Sequence, residues 1–79
     1  MNISIITPKT TLFKGGGKLV QVPGAAGAFQ ILENHAPLIS TLEQGKIKVR
    51  DHDDKDVFFE IVAGFIQVKG NNVVILVED

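Results

Sequence analysis

The cleanest alternation of polar and apolar positions falls at Lys46-Ile47-Lys48-Val49-Arg50, which sets Ile47 and Val49 on one face and three cations on the other. A period of two is the signature of a half-buried β-strand, and the cations read as its solvated face. Phe65-Ile66-Gln67-Val68-Lys69 and Lys18-Leu19-Val20-Gln21-Val22 alternate in the same way. Asn2 to Thr7 is rich in β-branched residues and stops at Pro8, and Val57 to Val62 and Val73 to Val77 are short apolar runs. The last of these reads as buried on both faces.

Turn chemistry separates these runs. Asp51 to Asp56 is a polar cluster that predicts a hairpin between the strands beside it, and Gly70-Asn71-Asn72 predicts a second hairpin. Pro23-Gly24 suits the central positions of a turn, and Ala63-Gly64 breaks an apolar run. Between Gly27 and Pro37 there is too little room for a stable helix, so Ala28 to His35 reads as extended. Six or more short strands without a helical period predict an all-β fold, an antiparallel sandwich or flattened barrel of two sheets.

Size and charge narrow the function. The chain has 79 residues and is read as one domain over 1–79 with a thin core, for which a permanent partner would be stabilising. It has no Cys, and its two histidines, His35 and His52, stand apart from any ligand-like cluster, so neither disulfide nor metal is expected. With 8 Lys and Arg against 9 Asp and Glu, no attraction to nucleic acid is predicted. No run is long and apolar enough to span a membrane, and the first residues do not resemble a signal peptide, so a cytosolic chain without membrane insertion is expected.

Catalytic patterns are weak. Lys14-Gly15-Gly16-Gly17-Lys18 has Leu12 and Leu19 where a phosphate-binding loop needs glycine and a hydroxyl, and it reads as a flexible connection. The aspartates of 51–56 lack the glycine and distal glutamate of a calcium loop and read as a solvated turn. Glu33 and Glu43 are not placed as an acid–base pair, and His35 has no evident nucleophile beside it. The five Phe residues read as core rather than as a stacking platform. No cofactor is expected.

The stretch from Val22 to Gly45 is the most particular. Val22-Pro-Gly-Ala-Ala-Gly-Ala-Phe29, Ile31-Leu32, His35-Ala36-Pro37-Leu38, Leu42 and Gly45 resemble the signature of the F-type ATP synthase epsilon subunit family. Ile5 to Pro8, Phe13, Ala63-Gly64-Phe65, Gln67-Val68 and Asn72 through Asp79 extend the likeness over essentially the whole chain. The resemblance implies the family's N-terminal β-sandwich, a non-catalytic central-stalk subunit coupling rotation between the c-ring and the gamma subunit. It implies a place at the cytoplasmic face of the bacterial inner membrane, as a peripheral component of the complex. It also implies a ring contact at Ala26, Gly27 and Ala28, and a gamma contact at Thr7, His35 and Ser40. For His35 a competing reading is a hydrogen bond to the backbone of its own turn.

Three departures qualify the likeness. Gln30 stands where the family usually has glycine, and Ala28 replaces a polar or acidic residue at the loop tip, which favours close backbone packing there over an electrostatic contact. The sequence ends at Asp79 without the family's two-helix hairpin, so coupling without inhibition or nucleotide binding is expected. The alternative reading is a free-standing β-sandwich module that binds a peptide or small ligand.

Overall fold

A computed structural model describes residues 1–78; Asp79, the last residue of the resemblance and of the expected 1–79 domain, lies outside the described residues. Nine strands form among the described residues: β1 (Asn2–Ile6), β2 (Thr11–Gly16), β3 (Leu19–Val22), β4 (Phe29–Leu32), β5 (Leu38–Leu42), β6 (Gly45–Arg50), β7 (Asp56–Ile61), β8 (Gly64–Lys69) and β9 (Asn72–Val77). They make a five-stranded sheet in the order β2-β1-β9-β8-β5 and a four-stranded sheet in the order β4-β3-β6-β7. The two sheets face each other as a sandwich, as the alternation predicts.

The core follows from the pleat. Ile3, Ile5, Val20, Val22, Ile31, Ile47, Val49, Ile66, Val73 and Ile75 are the fully buried side chains, and every one is β-branched. Such side chains are stiff and fill a pleated surface well, so the same residues favour the strand and supply its core. Along one side of the sandwich the rings of Phe13 on β2 and Phe59 on β7 meet edge to face at 6.0 Å, joining the two sheets. Along the other, Gly24 forms an isolated bridge with Leu42 of β5.

Both predicted hairpins form, β6–β7 and β8–β9. In the first turn the Asp51 carboxylate accepts the amides of Asp53 (2.8 Å) and Lys55 (2.9 Å). Asp54 pairs with Lys18, and Asp56 takes Arg50 in a two-pronged contact at 2.8 and 3.2 Å. These carboxylates fasten the turn and its strands, which accounts for their density in the sequence.

Several expectations change. The run Lys14 to Lys18 is not a flexible connection: Lys14, Gly15 and Gly16 belong to β2 and pair with β1. β1 and β9 pair in parallel, an exception to the antiparallel rule that joins the two ends of the described chain. The turn after β3 centres on Ala25-Ala26, with Gly27 donating to the Gly24 carbonyl at 2.9 Å, so Pro23-Gly24 precedes the turn instead of forming its centre. Ala28 to His35 is extended only as far as Leu32; a turn follows, with Asn34 at a φ of 62°. Phe58 and Phe65 are exposed, so the phenylalanines do not all serve the core. Val74 and Leu76 also point away from it, which corrects the reading of β9 as buried on both faces.

Candidate functional site

The strand directions sort the loops into two ends. At one end lie Thr7–Thr10, Pro23–Ala28, Glu43–Gln44 and Val62–Ala63; at the other lie Gly17–Lys18, Glu33–Pro37, Asp51–Lys55 and Gly70–Asn71. The residues singled out from the sequence are therefore dispersed. Ala26, Gly27 and Ala28 share an end with Thr7, His35 sits at the opposite end, and Ser40 lies midway along β5.

The Pro23–Ala28 loop is a built arch. Ala25 donates its amide to the Thr41 carbonyl at 3.0 Å, and Glu43 donates to the Pro23 carbonyl at 2.9 Å. A Cβ on Gly24 would sit 2.6 Å from the Gly27 carbonyl oxygen and 2.6 Å from the Phe29 ring, and one on Gly45 would sit 2.8 Å from the Pro23 Cβ. Gly27 has a φ of 129°, a conformation open to glycine and strained for other residues. Above this packed base Ala25, Ala26, Gly27 and Ala28 are all exposed.

The polar groups of Thr7, His35 and Ser40 are committed to nearby backbone. Thr7 is 7% exposed, and its hydroxyl oxygen accepts the amides of Lys9 (3.2 Å) and Thr10 (3.0 Å) while the hydroxyl donates to the Thr10 carbonyl (3.2 Å). This is the side-chain turn that serine and threonine favour, and it builds the β1–β2 connection. His35 holds its Nδ1 2.7 Å from the Ala36 carbonyl, so Nδ1 carries the proton and donates, the alternative weighed for it from the sequence. Ser40 donates from Oγ to the Thr41 carbonyl at 3.1 Å.

Sequence reasoning missed an apolar feature of the surface. The outer face of the five-stranded sheet carries a cross-strand row of Ile6, Leu76, Phe65 and Thr41, beside a second row of Ser4, Val74, Gln67 and Ile39. Phe65, Val74, Leu76 and Ile39 are exposed, Ile39 by 72%. Neighbouring exposed apolar side chains of this kind make the face a candidate docking surface. The available signal was the unbroken apolar run of β9, which supplies Val74 and Leu76 beyond the three apolar residues that its core-facing side uses.

The outer face of the other sheet is mixed: it carries most of the charged strand residues, and with them the exposed Leu32 and Phe58. Arg50 faces Asp56, Lys46 faces Glu60 and Lys48 faces Phe58 across the β6–β7 pair. The pairing lowers the Asp56 carboxyl below its ordinary value, chiefly through the hydrogen bond from Arg50, and raises the guanidinium in return. Asp54 is lowered likewise by the hydrogen bond and charge of Lys18. Among the described residues no group of three or more His, Asp or Glu side chains is placed to hold a metal ion.

Comparison with known proteins gives this geometry a context. The model of the ATP synthase delta/epsilon chain β-sandwich domain matches residues 1–79. The chain is 39% identical over 77 residues to the ATP synthase epsilon chain of Chlorobium limicola, covering 98% of this chain and 88% of that one. It is 41% identical over 78 residues to the epsilon chain of Caulobacter vibrioides, covering 99% and 90%. Against the epsilon chain of Leptospira borgpetersenii it is 42% identical and spans 61% of that longer protein. In fold it matches a chain of the central stalk and c-ring of Tetrahymena thermophila mitochondrial ATP synthase, with a TM-score of 0.83 and 18% identity, covering 99% of this chain and 63% of that one. A chain of the Euglena gracilis mitochondrial ATP synthase matches with a TM-score of 0.89 and 17% identity, covering 95% and 48%. On a family match that runs the full length of the sequence, this chain belongs to the ATP synthase delta/epsilon chain β-sandwich family.

Proposed function

We propose that the chain is the epsilon-type central-stalk subunit of an F-type, proton-translocating ATP synthase, a non-catalytic part that couples rotation between the c-ring and the gamma subunit. Its place is the peripheral, cytoplasmic side of a bacterial inner membrane. The observation that carries this reading is the apolar outer face of the five-stranded sheet, separate from the exposed arch at one end of the strands. A coupling subunit needs two separate grips, and a broad face and a narrow tip supply them.

Gamma docks on the apolar face in this proposal. Thr7 closes the turn beside Ile6, at one side of the face, and at the other Ser40 lies on β5 between the exposed Ile39 and Thr41, its own side chain on the inner side of the strand with that of its partner Ile66. His35 stands just before β5, near the same edge. Their polar groups serve local backbone, so they act here as border positions, while Ile39, Phe65 and Leu76 provide the buried contact area. The arch of Ala26, Gly27 and Ala28 meets the polar loops of the ring. Close packing of β-branched side chains between two sheets gives the body low compressibility, which suits a part that transmits load.

Coexpression with gamma and recovery of the complex tests the reading. Ile39→Arg and Leu76→Asp are expected to weaken capture by at least about tenfold, because each forces a desolvated charge into an apolar contact. His35→Ala is expected to weaken it less, through altered geometry at the start of β5. Unchanged capture by all three variants would remove gamma from this face.

A further inference from the structure

The arch between β3 and β4 supports a statement about the chemistry of what it touches, resting on the reading that this arch meets the ring. From Val22 to Leu32 no residue carries a charge. At the crest Ala25, Ala26, Gly27 and Ala28 are exposed and offer no side chain larger than a methyl group, so a partner can approach the backbone closely. The side chains therefore contribute no reach and no ion-pair partner.

The arch is also fixed before it binds anything. Hydrogen bonds tie it to Thr41 and Glu43, and Gly24 and Gly45 leave no space for a Cβ at its base. A surface held in this way contributes affinity through shape and through the small ordering cost of a preformed loop.

We propose that the Gly24–Ala28 arch is a rigid, uncharged contact surface that fits a neutral turn of small or uncharged polar residues, with backbone hydrogen bonds where an ion pair would otherwise stand. A charged partner group buried against the crest would be stripped of water with no counter-charge from residues 22–32, the charged residue bonded to the arch being Glu43 at its base, and that is strongly unfavourable. The matching part of the ring loop therefore keeps its own charges outside the contact. Position 28 sets the specificity: a larger side chain there lifts the backbone off its partner, and a carboxylate there demands a cation that the neutral turn does not provide.

The test uses the chain in complex with gamma, binding to the purified c-ring. Because the chain has no Cys, Ala26→Cys carries a single photocrosslinker at the crest. For the wild type, affinity is expected to change by less than about twofold between about 10 and 300 mM KCl, a range over which an exposed ion pair is heavily screened. Ala28→Val and Ala28→Asp are each expected to weaken binding at least about tenfold at low salt, the range in which a bulky or unpaired charged group is rejected by a well-packed contact. Thermal unfolding of both variants should match the wild type, because the side chain at 28 is exposed. A crosslink to the ring combined with steep salt dependence of the wild type, or with undiminished binding by Ala28→Asp, overturns the uncharged contact and leaves the ring contact standing. Absence of any crosslink from position 26 overturns both.

Discussion

The amide of Ala25 donates to the carbonyl of Thr41 at 3.0 Å, which fastens the crest of the exposed arch to the strand that borders the apolar face. The same carbonyl accepts the hydroxyl of Ser40 at 3.1 Å. One backbone oxygen thus lies between the two proposed grips of the subunit.

Gly24 is where that linkage is most exposed to mutation. The Cβ of an alanine there would lie 2.6 Å from the Gly27 carbonyl oxygen, a backbone atom that cannot rotate away. Gly24→Ala is expected to destabilise the protein by about 1–3 kcal/mol, the usual cost of forcing extra volume into a packed site. Urea unfolding measures it. Ala26→Ser, on the exposed crest of the same loop, should stay within about 0.5 kcal/mol of the wild type.

Legibility in the sequence followed local pattern. β6 was plain because Lys46 to Arg50 alternates without a fault, and the β6–β7 hairpin because its aspartates belong to a turn. β2 was not, since an edge strand is paired on one side only and Gly15 and Gly16 look like a linker until β1 supplies their partners. β5 was hidden because Leu38-Ile39-Ser40-Thr41-Leu42 does not alternate. The parallel pairing of β1 with β9 leaves no local trace, since it joins residues at opposite ends of the sequence. For the site, the glycines and proline announced the arch, but its anchors Thr41 and Gly45 lie well down the chain. The apolar face was missed because buried and exposed valines look alike in sequence.

Thr7 separates a turn-building role from a partner-contacting one. Its hydroxyl oxygen accepts two backbone amides in a nearly buried position, so Thr7→Val leaves both donors without a partner. A loss of about 1–3 kcal/mol is expected in the isolated protein. Thr7→Ser keeps the hydroxyl and should recover most of it. If Thr7→Val unfolded at the wild-type urea concentration yet failed to capture gamma, the residue would be a contact and not a turn.

The two faces of the five-stranded sheet predict opposite responses to truncation. Ile75 is fully buried, whereas its outward neighbour Leu76 is exposed. Ile75→Ala is expected to cost about 2–5 kcal/mol, enough to unfold much of a small protein whose whole stability is of similar size. Leu76→Ala should change stability by less than about 0.5 kcal/mol and weaken gamma capture instead. Chemical denaturation of each variant beside a binding assay checks the contrast; equal loss of stability in both would mean that the outer face is covered within the chain itself.

The carboxylates of Asp54 and Asp56 give the protein an acid limb whose direction is fixed by their pairing. Lys18 and Arg50 hold the two carboxyls below their ordinary value of 3.8, so on acidification the unfolded chain takes up protons before the folded one. The stabilisation is complete above that value and is lost as pH falls through the lower folded-state values. Arg50 is displaced upward from its ordinary value by the hydrogen bond and charge of Asp56, so its contribution holds throughout the ordinary range and fades only in strong alkali. Melting temperatures followed downward from about pH 6 should therefore fall below about pH 4, and Asp56→Asn should flatten that fall. Both groups are exposed, so the effect is small and should shrink further in high salt. An acid limb of the same depth in Asp56→Asn and Asp54→Asn would place its origin in other carboxylates.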